Sequence, residues 1–183
     1  MGIIRDTPPV LLIIAAFAAR EEAIDWGRLQ AEASFGPIAL ESETFRFDRF
    51  TDYYESSMGA ALLKKFWAFR DLIDPARLAE IKRLTNRWEE ECPFTDPGIE
   101  RCLNLDPGYI DLGKLILAST KDHAHRIYLR DGIFAETTLM YTQKKWKALP
   151  WSYPDYQSEG YQAFFDRCRD YLRQARQVAS KHT

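Results

Sequence analysis

Val10 to Ala19 is the one long apolar run of the chain, and it limits what the rest can build around it. It is too short to cross a bilayer, which takes about 20 apolar residues. A secretory leader is not expected either. Asp6 and Pro8-Pro9 precede the run, Arg20-Glu21-Glu22 follow it, and no clean small-x-small cleavage site is present. Asp6 also occupies the position where a myristoylation signal carries Ser or Thr. The run therefore reads as a buried central strand, Val10 to Ala18, and no membrane partner is expected.

At 183 residues the chain fits one domain with a substantial core. Aromatic residues make up 14%, so that core, or a groove beside it, should be rich in large rings. A net charge of -2 provides no broad attraction to nucleic acid or to an anionic membrane, and nucleic acid is not an expected partner. The cysteines are Cys92, Cys102 and Cys168. Their odd number and the lack of a CxxC pair point to free thiols in a reducing cytoplasm. They argue against a disulfide framework and against a structural zinc site.

Local patterns divide the chain further. A helix is expected over Glu21 to Ser34, with Trp26, Leu29 and Ala33 on one face and Gly36-Pro37 as its stop. Ile38, Leu40, Phe45 and Phe47 alternate with polar residues, predicting a second strand bent at Glu41-Ser42-Glu43. Ser56 to Gly59 reads as a small-residue turn. Leu63 to Arg70 suits a third strand with Lys65, Trp67 and Phe69 on one side. Asp74-Pro75 starts a second helix, buried through Leu78, Ile81, Leu84 and Trp88, which ends before Cys92-Pro93. Asp-Pro-Gly turns are expected at 96–98 and 106–108, with a short fourth strand, Arg101 to Leu105, between them.

Asp111 to Thr120 reads equally as a short helix or a strand. His125 to Arg130, Asp131-Gly132 and Ile133 to Tyr141 form a hairpin. A last helix runs over Gln157 to Val178, buried through Tyr161, Phe164, Phe165, Cys168, Leu172 and Ala175. The expected fold is a single α+β domain over residues 1–183. Its core follows the ferredoxin-like βαββαβ order and is extended by the C-terminal hairpin and a closing helix.

Several motifs carry a family resemblance. They are Asn104-Leu-Asp-Pro-Gly-Tyr109, Leu117-Ala-Ser-Thr-Lys-Asp122, His125-Arg-Ile-Tyr-Leu129, Gly132-Ile-Phe-Ala-Glu-Thr-Thr-Leu139 and Trp151-Ser-Tyr-Pro-Asp-Tyr156. Phe35-Gly-Pro, Phe50-Thr-Asp-Tyr-Tyr-Glu55 and Met58-Gly59 add to them in the N-terminal half. Together they resemble the DUF4416 family over nearly the whole chain. The resemblance implies a small prokaryotic protein of unknown function, with no reaction, ligand or cofactor attached. Ser152 stands where the family's motif usually has Thr, a departure that keeps the hydroxyl.

The same stretches hold the polar residues that are costly to bury. Candidate ligand-binding residues are Asn104, Asp106, Tyr109, Lys121, His125, Arg126, Glu136, Trp151, Tyr153 and Asp155. Lys121 and Arg126, with Ser119 and Thr120, offer a point charge and a planar fork for a phosphate or carboxylate. Lys121–Asp122 and Arg126–Glu136 ion pairs would use the same side chains structurally. No GxxxxGK[ST] or GxGxxG is present, so P-loop and Rossmann binding have no motif support.

His123 and His125, an i, i+2 pair, would form a two-His, one-carboxylate metal site if Asp122 or Glu136 joined them, but no metal is assigned. Asp106, Asp122, Glu136 and Asp155, with Asp52 and Glu55, are candidates for general acid–base work. Ser119, His125 and Asp122 have the residue types of a triad without its elbow. Tyr53, Tyr54, Tyr109, Tyr128, Trp151, Tyr153 and Tyr156 serve as core or as a stacking groove. Lys144-Lys145-Trp146-Lys147 reads as a solvated loop.

The leading functional expectation is a binding or regulatory protein for a small anionic ligand such as a nucleotide or phosphate compound. The alternatives are an enzyme with Asp/Glu/His acid–base chemistry, with or without a metal, and a protein–protein interaction module.

Overall fold

The computed structural model describes residues 2–4, 6–47, 55–59, 61–94 and 98–180. Strand β1, Leu11–Ala18, is buried at all eight positions. It lies between β4, Leu63–Phe69, and β5, Asn104–Asp111, antiparallel to both. Leu12, Ile14 and Ala16 point to one face, and Leu11, Ile13 and Ala15 to the other. Because both faces are covered, the strand is continuously apolar rather than alternating.

Among the described residues every strand pairing is antiparallel, and the sheet runs β2-β4-β1-β5-β6-β8-β7, with β3 on β4 and β9 on β8. These further strands are β2, Ile38–Glu41; β3, Phe45–Arg46; β6, Lys114–Ser119; β7, Ile127–Arg130; β8, Ile133–Thr142; and β9, Lys145–Ala148. The protein is α+β, and its described residues form one nine-stranded sheet. Helices α1, Glu21–Phe35, and α3, Leu78–Glu91, cover one face. The long α4, Glu159–Ser180, covers the other. A short helix α2, Glu55–Met58, replaces the expected turn at Ser56 to Gly59.

Several elements differ from expectation for identifiable reasons. Helix α1 buries Ala23, Ile24, Gly27 and Ala31, while Leu29 is 64% exposed. Small residues make this contact: a Cβ on Gly27 would come within 2.9 Å of the Leu103 side chain. Of the expected face, Leu29 and Ala33 are exposed and Trp26 is half-buried against the core. The second strand is two strands, split where Ser42 bonds Phe66: the Phe66 N–H donates to the Ser42 hydroxyl at 2.9 Å.

Asp106-Pro107-Gly108 is not a turn. It runs through the middle of β5, with Pro107 opposite Ile14. Gly108 has no positive φ but is needed for close approach, because a Cβ there would sit 2.2 Å from the Ile116 carbonyl oxygen. Pairing on both sides outweighs the turn preference of the tripeptide. The ambiguous segment after it is strand β6. Lys145–Ala148 is strand β9 rather than a loop, entered through Gln143 and Lys144 at positive φ, with Trp146 buried. A Gln-Lys turn carries none of the usual Asn-Gly signal, which explains why the pattern hid it. Asp131 and Gly132, at φ 54 and 75, do make the expected hairpin turn.

The expectation of three free thiols fails as well. Cys92 and Cys102 form a disulfide that ties the end of α3 to the approach to β5, and only Cys168 is free, buried on the sheet-facing side of α4. The two cysteines are ten residues apart in sequence, a separation that no CxxC-type spacing would announce. No helix among the described residues is long and apolar enough to cross a membrane. The Phe50 to Tyr54 motif, and Asp96 and Pro97 of the first Asp-Pro-Gly, lie outside the described residues.

Candidate functional site

A cavity of about 690 Å³ opens between the ends of β1, β4, β5 and β6, the C-terminal half of α3, and the turn before α4. Three buried cations with carboxylate partners stand in its wall. Alternation along β4 puts Phe66 and Ala68 on the α4 face of the sheet, and Lys64 follows them onto that face. The Lys64 ammonium donates to Asp155 Oδ2 at 2.7 Å, and the two side chains are 3% and 2% exposed. Five rings surround it, with centroids at 4.5 Å for Phe47, 4.9 Å for Tyr156, 5.3 Å for Tyr161, 5.4 Å for Phe66 and 5.7 Å for Phe17. Ring faces attract the cation while excluding water.

Lys82 lies on the buried face of α3, one residue after Ile81 and three before Thr85. Its ammonium donates to the Leu105 carbonyl at 2.8 Å and to Asp106 at 3.2 Å, with Glu89 at 3.7 Å. Glu89 also accepts from the Leu105 N–H at 2.7 Å and from Arg101 at 3.0 Å. Arg101 bonds Asn104, whose amide donates to Asp106 at 2.8 Å. Burial pushes the Glu89 carboxyl above its ordinary range. Lys82 opposes that shift and the nearby Asp106 adds to it. Burial and the adjacent Asp155 likewise hold the Tyr156 hydroxyl well above its ordinary range.

The third cation is Arg126, just before β7. Its Nε donates to Glu136 Oε2 at 2.6 Å, and its Nη1 donates to the Ser119 hydroxyl at 2.7 Å and the Lys121 carbonyl at 3.0 Å. The side chain is 5% exposed, and its Nη2 has no partner among the described residues. Glu136, 3% exposed, also meets His125 Nε2 at 3.0 Å. The His125 ring stacks on Trp151 at 5.1 Å and 12°.

Of the ten candidate residues, Asn104, Asp106, Lys121, Arg126, Glu136, Tyr153 and Asp155 line this cavity. His125 and Trp151 stand behind Glu136, outside the wall. Trp151 is held by its indole N–H on the Thr137 carbonyl at 2.9 Å. Tyr109 is elsewhere, packed toward α3, where burial and Asp111 raise its hydroxyl's pKa.

Ser152 accepts from the Leu149 N–H at 2.8 Å and bonds the Thr138 carbonyl, a role any hydroxyl in that position can fill. The Ser119–His125–Asp122 triad does not form, since Ser119 meets Arg126 and His125 meets Glu136. His123 and His125 stack at 5.8 Å, and among the described residues no three metal-ligating side chains gather.

Lys64, Lys82, Glu89 and Arg101 were not among the sequence candidates. The available signal was a lysine two residues before Phe66 on an apolar face, and a lysine directly beside Ile81 on a helix's buried face.

Fold and site define an α+β protein with a charge-paired cavity at one end of a two-sided antiparallel sheet. The chain belongs to the DUF4416 family, described as a domain of unknown function, whose profile matches residues 8–171. Neither a curated protein nor a solved structure matches it.

Proposed function

We propose that the protein binds a small anionic ligand, a phosphate or carboxylate compound of up to nucleotide size, in this cavity. The observation that carries the reading is Arg126. Its guanidinium is buried and locked in place by Glu136, Ser119 and the Lys121 carbonyl, while Nη2 is left without a partner at the cavity wall. A preoriented fork of this kind loses little freedom on meeting an anion. The volume lies within the range of small-molecule sites, about 300–1,000 Å³. Clustered buried ion pairs are a costly way to build a fold and are concentrated at functional sites.

The same reading takes the chain as one cytoplasmic domain. It takes β2, β4, β1 and β5, with α1 and α3, as a ferredoxin-like core to which the later strands were added. A second reading, an acid–base enzyme, is favoured by one observation: His125 is oriented by Glu136 and stacked on Trp151.

Titration calorimetry with inorganic phosphate and with propionate tests the binding reading. Arg126→Ala should weaken the anion that binds by about 10- to 100-fold, the equivalent of a charge-assisted bond. Unchanged affinity in a folded Arg126→Ala protein removes Arg126 as the anchor. Turnover of a bound phosphate ester that His125→Gln abolishes would move the assignment to the enzyme.

A further inference from the structure

We infer that the ligand is zwitterionic: one anionic group held at Arg126 and one amine held at the carboxylates that line the same cavity near the end of α3. The inference rests on the anion reading above and narrows the ligand's class. Carboxylates outnumber lysines and arginines around the cavity. Lys64, Lys82 and Arg126 already face carboxylates of their own, so the cavity has little positive charge left for a polyanion. A triphosphate entering it would meet an excess of negative charge in a partly water-excluded space.

The polar groups without a charge partner are also segregated along the chain. The uncommitted Arg126 Nη2 stands with Ser119, Thr120 and Lys121 at the end of β6. Glu90 and Glu100, in contrast, line the cavity where α3 ends and the chain returns toward β5, and neither side-chain carboxylate has a partner among the described residues. The last turn of α3 contains no basic residue, so its carbonyl end adds partial negative charge to the same wall. Asp106, which also lines the cavity, is still 32% exposed on its side chain despite Lys82 and can accept a further donor.

An acidic wall alone would be only a solvated surface. It gains meaning here because the same cavity presents a guanidinium whose side chain is 5% exposed, is fixed by three partners, and still has a free donor. A ligand with an anion at one end and an ammonium at the other satisfies both walls, whereas a simple anion satisfies one. Monomer-sized amino phosphates and amino acids have this chemistry.

Titration calorimetry on the full chain at neutral pH decides it with matched pairs. The pairs are O-phosphoethanolamine against ethyl phosphate, glucosamine 6-phosphate against glucose 6-phosphate, and β-alanine against propionate; inorganic phosphate and ATP complete the set. In at least one pair the amine member should bind about tenfold tighter or more, the effect of one charge-assisted contact. ATP should bind no tighter than inorganic phosphate. Glu90→Gln/Glu100→Gln should pull the amine preference toward one.

Phosphate or propionate binding through Arg126 with no amine preference in any pair, or ATP as the tightest ligand, overturns the zwitterion and leaves the anion reading standing. An amine preference that survives in Glu90→Gln/Glu100→Gln overturns the assignment of that wall. No binding of inorganic phosphate, propionate or any pair member overturns both readings.

Discussion

Lys64–Asp155 and Arg126–Glu136 are both buried ion pairs in the wall of one cavity, and their surroundings give them different work. Lys64 and Asp155 are 91 residues apart in sequence and join the sheet to the turn before α4. Aromatic rings close around the ammonium, and Asp155 has no second cation in ion-pair reach among the described residues. Arg126 and Glu136 are ten residues apart, across the approach to one hairpin. Glu136 has a second partner in His125, and Arg126 keeps a donor in reserve. The first pair is a pin, complete in itself. The second is a holder, arranged so that something else can be held.

This contrast predicts unequal costs of removal. Lys64→Ala strands a carboxylate that is 2% exposed and empties a ring cage, and should cost about 3–5 kcal/mol by chemical denaturation. Lys64→Met/Asp155→Leu should recover most of that loss, because apolar residues of similar volume can replace a buried pair without an uncompensated charge. Arg126→Ala leaves Glu136 with His125 and Thr138, and should cost less, about 1.5–3 kcal/mol. An Arg126→Ala loss equal to that of Lys64→Ala would abolish the distinction between pin and holder.

Legibility in the sequence divided along the same line. The Val10 run, the Asp74-Pro75 helix start, the Asp131-Gly132 hairpin and the α4 stripe were readable because each depends on local periodicity or turn chemistry. The seven cavity-lining candidates came from motifs in the C-terminal half. Lys64 and Lys82 were not readable as site residues, because their partners, Asp155 and the Leu105–Asp106 segment, are brought to them only by the folded sheet.

Asp106-Pro107-Gly108 shows the converse failure: strong local chemistry overridden by two neighbouring strands. Gly108→Ala tests that strand directly. The new methyl would press on the Ile116 carbonyl and should cost about 1–3 kcal/mol. Because β5 carries Asn104 and Asp106 and β6 leads into Ser119 and Lys121, phosphate affinity should fall with it. A stability loss with undiminished affinity would show that the holder does not depend on the spacing of β5 and β6.

The smallest effect is expected at Glu89, where neither description fits cleanly. Burial raises its carboxyl's pKa above the ordinary 4.5, with Lys82 pulling it back and Asp106 pushing it further up. The folded chain therefore binds this proton more readily than the unfolded chain does. Stability contributed through Glu89 must fall as pH rises from about its ordinary value through the raised one, the opposite of a well-paired carboxylate. One proton on one group limits the slope to about 1.4 kcal/mol per pH unit. Denaturant unfolding of the wild type and Glu89→Gln, stepped from pH 4.5 to 7, reads the difference between the two proteins. Glu89→Gln should become relatively more stable toward the upper end of that range. If instead the wild type gains on the variant as pH rises, Lys82 and Arg101 outweigh burial. Glu89 would then belong with Asp155 as part of a second pin, and the cavity would have one holder between two fixed walls.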